Sequence, residues 1–356
     1  AAMVINDNET GAIKAMVGGR GITGQRSFNR ATSPRQPGSS IKPLAIYSSA
    51  IQNSYELQSK GKKFKAKNIG NDTQGSKYYG DYLTEASVII YEPIRIGGRI
   101  WPYNADRRFR GKLTMKQALE QSINVASVKL YEQLGNDYCL EMAKKFGLKH
   151  LVTSGETSDS NPAALALGAM TKGVTAQEMA EDYTTFPNGG TRKSYIVYTK
   201  ILDKDGVEIL KSKQKSTKVL DEGVAFIMKD MLQSNVSRGI AGSAAISGQA
   251  VGGKTGTTND NYDLWFCGFT AKYSGALWIG NDVNMYVNGS SYNNASIWSR
   301  IMRQIDGALN GKYKGVPSNV VKSGNDYFIK GTVMKSPETE EELKKKAEEE
   351  RLKAEE

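Results

Sequence analysis

Strand-like patterns lie near the two ends of this chain, and most helical patterns lie between them. Residues 4–18 read as a strand pair with a turn at 6–11, and residues 250–257, 264–270 and 275–280 read as three successive strands. Strands this far apart in sequence can bury their apolar faces by pairing with one another. We therefore expect one antiparallel sheet assembled from distant segments, with a helical lobe inserted between them.

Five stretches have the spacing of apolar residues that is typical of amphipathic helices. They are residues 39–51, 114–131 with a break near Ser122, 175–186, 221–232 and 294–309. Together with the strands, they predict an α/β fold of the α+β type. We expect an antiparallel sheet of about five strands, flanking helices and an inserted all-helical lobe.

Composition divides the 356 residues into three expected parts. Residues 1–310 form the main domain, 311–335 a short C-terminal segment and 336–356 a charged low-complexity tail. The tail holds nine acidic and five basic residues, a net charge of −4, so the other 335 residues carry +15, against +11 for the whole chain. Its two leucines cannot form an apolar face, so we predict a disordered tail or a solvated helix.

Histidine and cysteine are too few for several kinds of active site. A Ser-His-Asp or Cys-His site would depend on His150, the one histidine in the sequence. Cys139 and Cys267 can form one disulfide at most, and the usual cysteine and histidine ligands of a zinc site are lacking. We therefore expect a site without metal or cofactor, built on serine, threonine, lysine or carboxylate groups. Cys267 lies in an apolar strand and is expected to be a buried, inert thiol.

The net positive charge of the chain restricts the kinds of partner that it is expected to bind. The basic, aromatic-poor run at 60–67 is interpreted as a solvated loop. No nucleic-acid recognition motif accompanies the charge, so we expect no nucleic-acid partner. If the protein is extracellular, an anionic cell-wall polymer is the more economical partner. No run approaches the roughly 20 apolar residues of a membrane helix. Because the chain starts directly in a strand, we expect it to be a fragment of a longer protein.

Three short motifs carry the chemistry, and the first is Ser-Ser-Ile-Lys at 39–42. In the first turn of a helix, Ser39 and Lys42 share a face, with Cβ atoms about 5–6 Å apart. The lysine amine can accept the serine proton only if its pKa falls by about 3 units, through desolvation and a second cation. The spacing recurs at Ser59-Lys62 and Ser212-Lys215, but in polar basic stretches, whereas Ser39 opens an apolar helix.

The second motif is Ser-Ile-Asn at 122–124. Copies of the form Ser-x-Asn also begin at Ser27, Ser291 and Ser323, so the pattern alone is not specific. Only the Ser122 copy falls at a break between two helical patterns, where the hydroxyl and the amide can both point into a cleft. The alternative interpretation of such a pair is local helix capping.

The third motif, Lys-Thr-Gly-Thr at 254–257, occurs once. Strand alternation places Lys254 and Gly256 on one face, with Thr255 and Thr257 on the other. Gly256 leaves room for a ligand backbone, and an edge strand here can pair with an extended peptide. Lys254 would then supply the second cation near Lys42. The alternative is a glycine-rich shoulder of a hairpin.

Taken together, the three motifs resemble the transpeptidase domain of bifunctional (class A) penicillin-binding proteins, with first residues 83 and 132 positions apart. The resemblance covers residues 1–309 and includes segments 35–43, 111–124, 165–168, 173–175, 186–190 and 263–268. It implies the fold of serine β-lactamases and D,D-peptidases. We expect the glycosyltransferase domain and the single membrane anchor of that family in other parts of the parent protein.

The resemblance also implies catalytic roles. Ser39 would attack the penultimate D-alanine carbonyl of a stem pentapeptide, expel the last D-alanine and form an acyl-enzyme. Lys42 would be the base, Ser122 would pass a proton towards the leaving nitrogen, and Lys254 would support the local field. An amine of a second stem then takes the acyl group, whereas a penicillin leaves a slowly hydrolysed ester.

Further residues are implied to bind the substrate. Asn124 would hydrogen-bond the amide of the acyl chain, and Thr255, Gly256 and Thr257 would surround the terminal carboxylate or its β-lactam equivalent. Backbone N–H groups of Ser39 and Thr257 would form an oxyanion hole, in which each donor is typically worth about 3 kcal/mol. The resemblance implies neither a metal nor a cofactor.

The expected function is therefore a D,D-transpeptidase that cross-links peptidoglycan stem peptides and is acylated by β-lactams. Expected partners are stem pentapeptides, lipid II-derived glycan strands, β-lactam antibiotics and anionic wall polymers. The parent protein is expected to be a peptidoglycan glycosyltransferase as well. It would be anchored at the extracellular face of the bacterial cytoplasmic membrane through a segment missing from this soluble fragment.

Three alternatives remain at this point. A class A serine β-lactamase carries Glu-x-x-Leu-Asn, but the nearest segment here, 156–161, is one residue too long and lacks leucine. Ile123 also stands where that class has aspartate. A D,D-carboxypeptidase is harder to separate from a transpeptidase. A non-enzymatic β-lactam sensor or scaffold is less favoured, because Ser39, Lys42 and Lys254 are all present.

Overall fold

Strands from both ends of the sequence meet in one sheet. The computed structural model describes residues 1–21, 24, 26–67, 69, 78–104, 106–305 and 309–334. Its strands are β1 (Ala2–Asp7), β2 (Ile13–Val17), β3 (Val88–Tyr91), β4 (Arg95–Ile96), β5 (Arg99–Ile100), β6 (Gly111–Thr114), β7 (Thr191–Lys193), β8 (Lys200–Leu202), β9 (Glu208–Lys211), β10 (Ser216–Lys218), β11 (Gly252–Thr257), β12 (Asp263–Phe269), β13 (Tyr273–Gly280), β14 (Val320–Ser323) and β15 (Asp326–Ile329).

The main sheet has the order β11-β12-β13-β1-β2, and all of its pairs are antiparallel. Strand β1 pairs with β13 through contacts such as Val4 with Ala276, which joins segments more than 270 residues apart. Strand β11 lies at an edge and pairs with β12, with Lys254 opposite Cys267. The predicted five-stranded antiparallel sheet is confirmed, and its strand bounds agree with the expected ones to within a few residues.

Helices cover both faces of the sheet. They are α1 (Ser48–Ser59), α2 (Met115–Glu120), α3 (Asn124–Leu134), α4 (Asn136–Phe146), α5 (Pro162–Leu165), α6 (Ala176–Tyr183), α7 (Glu222–Ser237) and α8 (Ser291–Gln304). On one face, Trp265 and Trp278 pack in a core that includes residues of α6; on the other, Phe266 packs with Trp298 of α8. Because both faces are buried, the central strands are continuous apolar runs rather than alternating ones.

The helical segment that carries the first motif is longer than predicted and changes its winding. It begins with a 3₁₀ turn at Gly38–Ile41, continues as a π turn at Pro43–Tyr47 and becomes α1, which ends at Ser59 instead of near residue 51. Proline has no N–H to donate, so the regular hydrogen-bond ladder is interrupted at Pro43. The polar residues after Ile51 hid the final two turns of α1 from the apolar pattern.

The inserted lobe is largely helical, and it also contains short strands. Helices α2 to α5 belong to it, together with the ladders β3–β6 and β4–β5. Near the C-terminus, the β14–β15 hairpin packs through Val320 and Ile329 into the same core as the main sheet. The predicted tail at 336–356 lies outside the described residues.

Candidate active site

Ser39 lies in the 3₁₀ turn that begins the first helical segment, and its side chain is half-buried. Two contacts hold this turn against the rest of the domain. The indole N–H of Trp265 donates to the carbonyl of Gln36, and the Tyr183 hydroxyl donates to the carbonyl of Ser40, both at 2.8 Å. The turn that carries Ser39 is thereby held by both strand β12 and α6.

A cavity of about 310 Å³ opens over this serine. Its walls combine the sheet, the lobe and the loop before α6, and they consist of Gln36, Gly38, Ser39, Trp101, Pro102, Tyr103, Asn124, Ala163, Leu167, Gly168, Ala169, Thr257, Thr258 and Asn259. Three predicted site residues therefore face one space: Ser39, Asn124 and Thr257. A half-buried hydroxyl at the wall of a cleft of this size can meet an extended peptide.

Lys42 is fully buried behind the serine. Its Nζ donates to the backbone carbonyl of Ser122 at 2.9 Å and to Oδ1 of Asn124 at 2.7 Å. Burial, and then the charge of Lys254, lower the pKa of Lys42 well below its ordinary value. These are the two causes that the sequence argument required, and they favour an uncharged amine that can accept a proton.

Ser122 lies at the predicted break between two helices, α2 and α3. Its φ of +55° is unusual for a residue with a side chain, and it turns the chain sharply between the two helices. Nζ of Lys254 donates to Ser122 Oγ at 2.8 Å, while Nζ of Lys42 lies 3.5 Å from the same oxygen. Lys254 is fully buried, which lowers its pKa to about 7. One hydroxyl therefore connects two buried amines.

The hydrogen-bond inventory of Lys42 suits the role of a base. A neutral amine has two hydrogens and one lone pair. The Ser122 carbonyl and the Asn124 amide oxygen can take both hydrogens, which leaves the lone pair to accept from a hydroxyl, and the Ser122 hydroxyl already lies 3.5 Å away. Within the described residues no hydrogen bond joins Lys42 to Ser39; catalytic contacts are often loose before a ligand binds.

Asn124 is held by two residues that the sequence analysis did not identify. Oδ1 of Asn104 accepts the backbone N–H of Asn124 at 2.7 Å, and the carbonyl of Tyr103 accepts from its side-chain amide at 2.8 Å. Asn104 is only 7% exposed. The segment 102–104 lies in irregular chain between short strands, where no periodic pattern marks a contact with a distant helix. A Pro-Tyr-Asn sequence was the available signal, and it is too common to single out.

Glycine allows the serine turn to approach strand β11. Gly38 has a φ of +52°, and a Cβ there would lie 2.4 Å from the carbonyl oxygen of Thr257. The serine turn consequently lies against the backbone of Thr257 at Gly38, the residue before Ser39. Position 256 requires glycine for a similar reason, since a Cβ there would lie 2.3 Å from the carbonyl oxygen of Pro37. The expected space for a ligand backbone at Gly256 is thus occupied by the serine turn.

The two threonines of the third motif differ in exposure. Thr257 is exposed in the cavity, and its hydroxyl donates to Oγ of Ser291 at 3.2 Å. Thr255 is 3% exposed, does not line the cavity, and its carbonyl accepts from Lys254. Ser291, the first residue of α8, is a further contact that sequence analysis assigned to a nonspecific Ser-x-Asn copy.

The two other Ser-x-x-Lys copies are not part of the serine cavity. Ser59 lies at the exposed end of α1, and Ser212 follows strand β9; neither lines the serine cavity.

His150 lies outside the wall of the serine cavity, and its Nδ1 is 3.0 Å from the carboxylate of Glu178 in α6. Cys139 and Cys267 are both free and buried. Burial raises the pKa of Cys267 above its ordinary value, as expected for an inert thiol, and raises the pKa of Cys139 to about 12.

Neither a metal site nor a membrane helix is visible in the part of the chain that the structure describes. No cluster of three or more histidine, cysteine, aspartate or glutamate side chains is arranged to hold a metal there. No helix in the same ranges has the length and apolar character needed to cross a bilayer.

The chain is similar to the proteins of a known family. The model of the family described as penicillin binding protein transpeptidase domain matches residues 80–305. That range includes Ser122, Asn124 and Lys254 and begins after Ser39. Penicillin-binding protein 1A of Clostridium acetobutylicum is 37% identical over 336 residues, which are 93% of this chain and 39% of that protein. The chain thus spans about two fifths of the curated relatives that it matches.

Solved structures show the same fold. Penicillin-binding protein 1A from Haemophilus influenzae superposes with a TM-score of 0.72 at 22% identity, covering 94% of this chain and 54% of that one. The PonA1 protein of Mycobacterium tuberculosis in complex with penicillin V superposes with a TM-score of 0.64 at 20% identity, covering 89% of this chain and 80% of that one. The predicted fold class is confirmed by these similarities and by the sheet.

Proposed function

Because this chain belongs to the penicillin-binding protein transpeptidase family, we propose that it is a serine D,D-transpeptidase that cross-links peptidoglycan stem peptides and is acylated by β-lactams. The observation that carries the proposal is the chain of contacts behind Ser39. Lys42 is buried with a lowered pKa, and the Ser122 hydroxyl lies between it and a second buried amine, Lys254.

In the acylation step, Ser39 Oγ attacks the carbonyl of the penultimate D-alanine and loses its proton to the neutral Lys42 amine. The Ser122 hydroxyl then passes a proton to the leaving nitrogen and is replenished from Lys42. Lys254 donates a hydrogen bond to Ser122 Oγ. Its charge lowers the pKa of Lys42, so the Lys42 amine is neutral before it accepts the proton of Ser39. The bond to the last D-alanine breaks, and an ester on Ser39 remains.

Binding residues hold the peptide in this geometry. The Asn124 side chain retains one amide hydrogen for the acyl chain, since the other is used by the Tyr103 carbonyl. Thr257, exposed in the cavity, takes the terminal carboxylate, with Thr255 and Gly256 forming the strand beneath it. The backbone N–H groups of Ser39 and Thr257 stabilise the oxyanion. Deacylation follows when an amine of a second stem attacks the ester, with the same groups acting in reverse.

The setting of the reaction follows from the family. The proposed partners are stem pentapeptides, lipid II-derived glycan strands and β-lactams, with anionic wall polymers attracted by the net charge of +11. We place the parent protein at the extracellular face of the bacterial cytoplasmic membrane, with a single-pass anchor and a glycosyltransferase domain. The relatives, named penicillin-binding protein 1A, are more than twice as long as this chain.

Mass spectrometry of the intact protein tests the proposal. After incubation with a penicillin, we expect a stable mass increase of one penicillin molecule in the wild type and none in Ser39→Ala. Ser212→Ala is the matched control, because Ser212 has the same spacing to a lysine but does not line the cavity. An adduct that survives Ser39→Ala contradicts the proposal.

Turnover experiments separate the rival activities. Rapid hydrolysis of a chromogenic cephalosporin indicates a β-lactamase, and release of D-alanine without cross-linked product in the presence of an amine acceptor indicates a carboxypeptidase. A stable penicillin ester with no reaction on stem peptides indicates a sensor. Cross-linked dimers that require Ser39 support the transpeptidase.

A further inference from the structure

A second cavity lies next to the serine cavity and shares two wall residues with it, Trp101 and Ala163. Its volume is about 360 Å³. We propose that this second cavity binds a carboxylate of the acyl-donor stem peptide, upstream of the scissile bond, and that Arg99 is the residue that recognises it. The inference rests on the proposed transpeptidase function, and it adds a specificity site to it.

The lining of the second cavity offers one charged group on apolar walls. Besides Arg99 and Asn161, it consists of Ile96, Ile100, Trp101, Pro162 and Ala163. The Asn161 amide is already used, since its oxygen accepts from Ala164 N at 3.0 Å and its nitrogen donates to Ser158 O at 2.7 Å. Arg99 has no ion-pair partner among the described residues. A guanidinium in this position is suited to a carboxylate, with which it can form two parallel hydrogen bonds.

A tight hairpin fixes the position of Arg99. Strands β4 and β5 pair Ile96 with Arg99 and Arg95 with Ile100. Gly97 and Gly98 form the turn with φ of +59° and +78°, the conformation that two-residue hairpins favour. Arg95 folds back on this turn and donates to the Gly98 carbonyl at 3.1 Å. The two arginines of the hairpin therefore differ: Arg95 braces the turn, and Arg99 lines the cavity.

Charge in the surrounding chain also favours an anionic ligand. Residues 95–110 contain five arginines and one aspartate. That aspartate, Asp106, forms an ion pair with Arg110, so it does not neutralise the hairpin. The excess positive charge raises the local concentration of anions and orients them before binding.

The geometry of the reaction decides which part of the substrate reaches this cavity. In the proposed binding mode, the terminal carboxylate of the donor lies on the β11 side, at Thr257, and the acyl chain runs past Asn124. The second cavity is built by the β4–β5 hairpin and residues 161–163, and it is reached from the serine cavity past Trp101. It is therefore placed for the residue that precedes the two D-alanines. A free side-chain carboxylate on that residue would meet Arg99, whereas a carboxamide would lose the ion pair.

Two thioester donor peptides test the inference. They end in D-alanyl thioglycolate and differ only in the preceding residue, which carries a free side-chain carboxylate in one and a carboxamide in the other. We expect kcat/KM for thioglycolate release to be up to about fivefold higher for the carboxylate donor, the scale of an ion pair made by an exposed side chain such as Arg99. Arg99→Gln should bring this ratio close to one. Arg95→Gln is the matched control, since it removes the same charge from the same hairpin outside the cavity, and it should keep the ratio.

A ratio that is near one in the wild type, or that falls equally in both variants, overturns the inference. Binding of the corresponding non-reactive peptides to the Ser39→Ala protein gives a second readout that needs no chemistry, with the same expected preference and the same dependence on Arg99. Penicillin lacks the upstream residue and therefore reports on the proposed function separately. If penicillin does not acylate Ser39, the function itself fails; if it does and the preference is absent, only the specificity site fails.

Discussion

Nζ of Lys254 lies 2.8 Å from Oγ of Ser122, and this hydrogen bond joins the inserted lobe to the edge strand of the sheet. The same hydroxyl is 3.5 Å from Nζ of Lys42. Two amines that share one buried hydroxyl cannot both carry a charge at low cost, so protonation of one opposes protonation of the other. The pH dependence of the site is thus a property of the pair.

Replacing Lys254 should change the pH profile of acylation in a defined direction. The charge of Lys254 lowers the pKa of Lys42, so Lys254→Gln should raise that pKa and move the acidic limb of the profile to higher pH. The measurement is the second-order rate constant of penicillin acylation over the pH range in which both proteins stay folded. Lys204→Gln, at a side chain that is 90% exposed, is the control and should leave the limb in place. An acidic limb that does not move in Lys254→Gln argues against coupling of the two amines.

Asn104 should act as a positioning residue for Asn124. Asn104→Ala leaves the first N–H of α3 without its acceptor, which should lower the free energy of unfolding by about 1–3 kcal/mol. Because Asn124 also binds Lys42, acylation by penicillin should slow as well. Asn104→Asp keeps an oxygen acceptor and should recover part of the stability. Thermal unfolding and acylation rates check both effects, and acylation as fast as in the wild type would refute the positioning role.

Gly256→Ala should displace the serine turn. Its new Cβ would lie 2.3 Å from the Pro37 carbonyl oxygen and 3.0 Å from the Ser40 side chain, so either the turn or strand β11 must move. We expect acylation to fall at least about tenfold, since displacements near 1 Å at a reacting group cost this much or more. Gly315→Ala is the control, because no atom lies within 4 Å of its Cβ position. Equal acylation rates in the two variants would contradict the close packing.

Glu85 should make the fold less stable as pH rises. Burial, offset in part by Lys116, raises the pKa of Glu85 from an ordinary 4.5 to about 8. Between these values the folded chain holds a proton that the unfolded chain has released. Stability from this group is therefore complete below about pH 4.5 and is lost as pH approaches about 8. The expected slope is at most about 1.4 kcal/mol per pH unit.

Urea unfolding at several pH values measures this slope in the wild type and in Glu85→Gln, which cannot ionise. The difference in stability between the two proteins should change with pH over that window, in favour of the variant at higher pH. A constant difference would mean that Glu85 titrates alike in both states.

Local sequence patterns were sufficient to predict the positions of the residues that carry the proposed chemistry. Ser39 and Lys42 were predicted on one helical turn, Ser122 at a break between helices, and Lys254 on a strand that could lie at an edge. Each position lies where the spacing of apolar residues changes or where glycine or proline interrupts it. Strands β1, β12 and β13 could be assigned because they are largely apolar and lie where the main sheet is buried on both faces.

Residues that act through distant contacts could not be predicted in this way. Asn104 touches Asn124 from an irregular segment, and Ser291 meets Thr257 from a helix 34 positions away. The packing of Gly256 against Pro37 joins segments more than 200 residues apart. Such contacts depend on the assembled fold, and a single sequence contains no periodicity that reports them.

The pairing of β1 with β13 has a consequence for folding in the cell. The sheet stays incomplete until residue 280 has been made, because its first strand waits for a partner from the far end of the chain. Long-range pairing of this kind is slow, since the loop between the partners must close first. Ser39 is synthesised early but gains its neighbour Thr257 only after that closure. A fluorescent penicillin should therefore label only chains that have been completed and folded, and it should not label nascent or truncated chains.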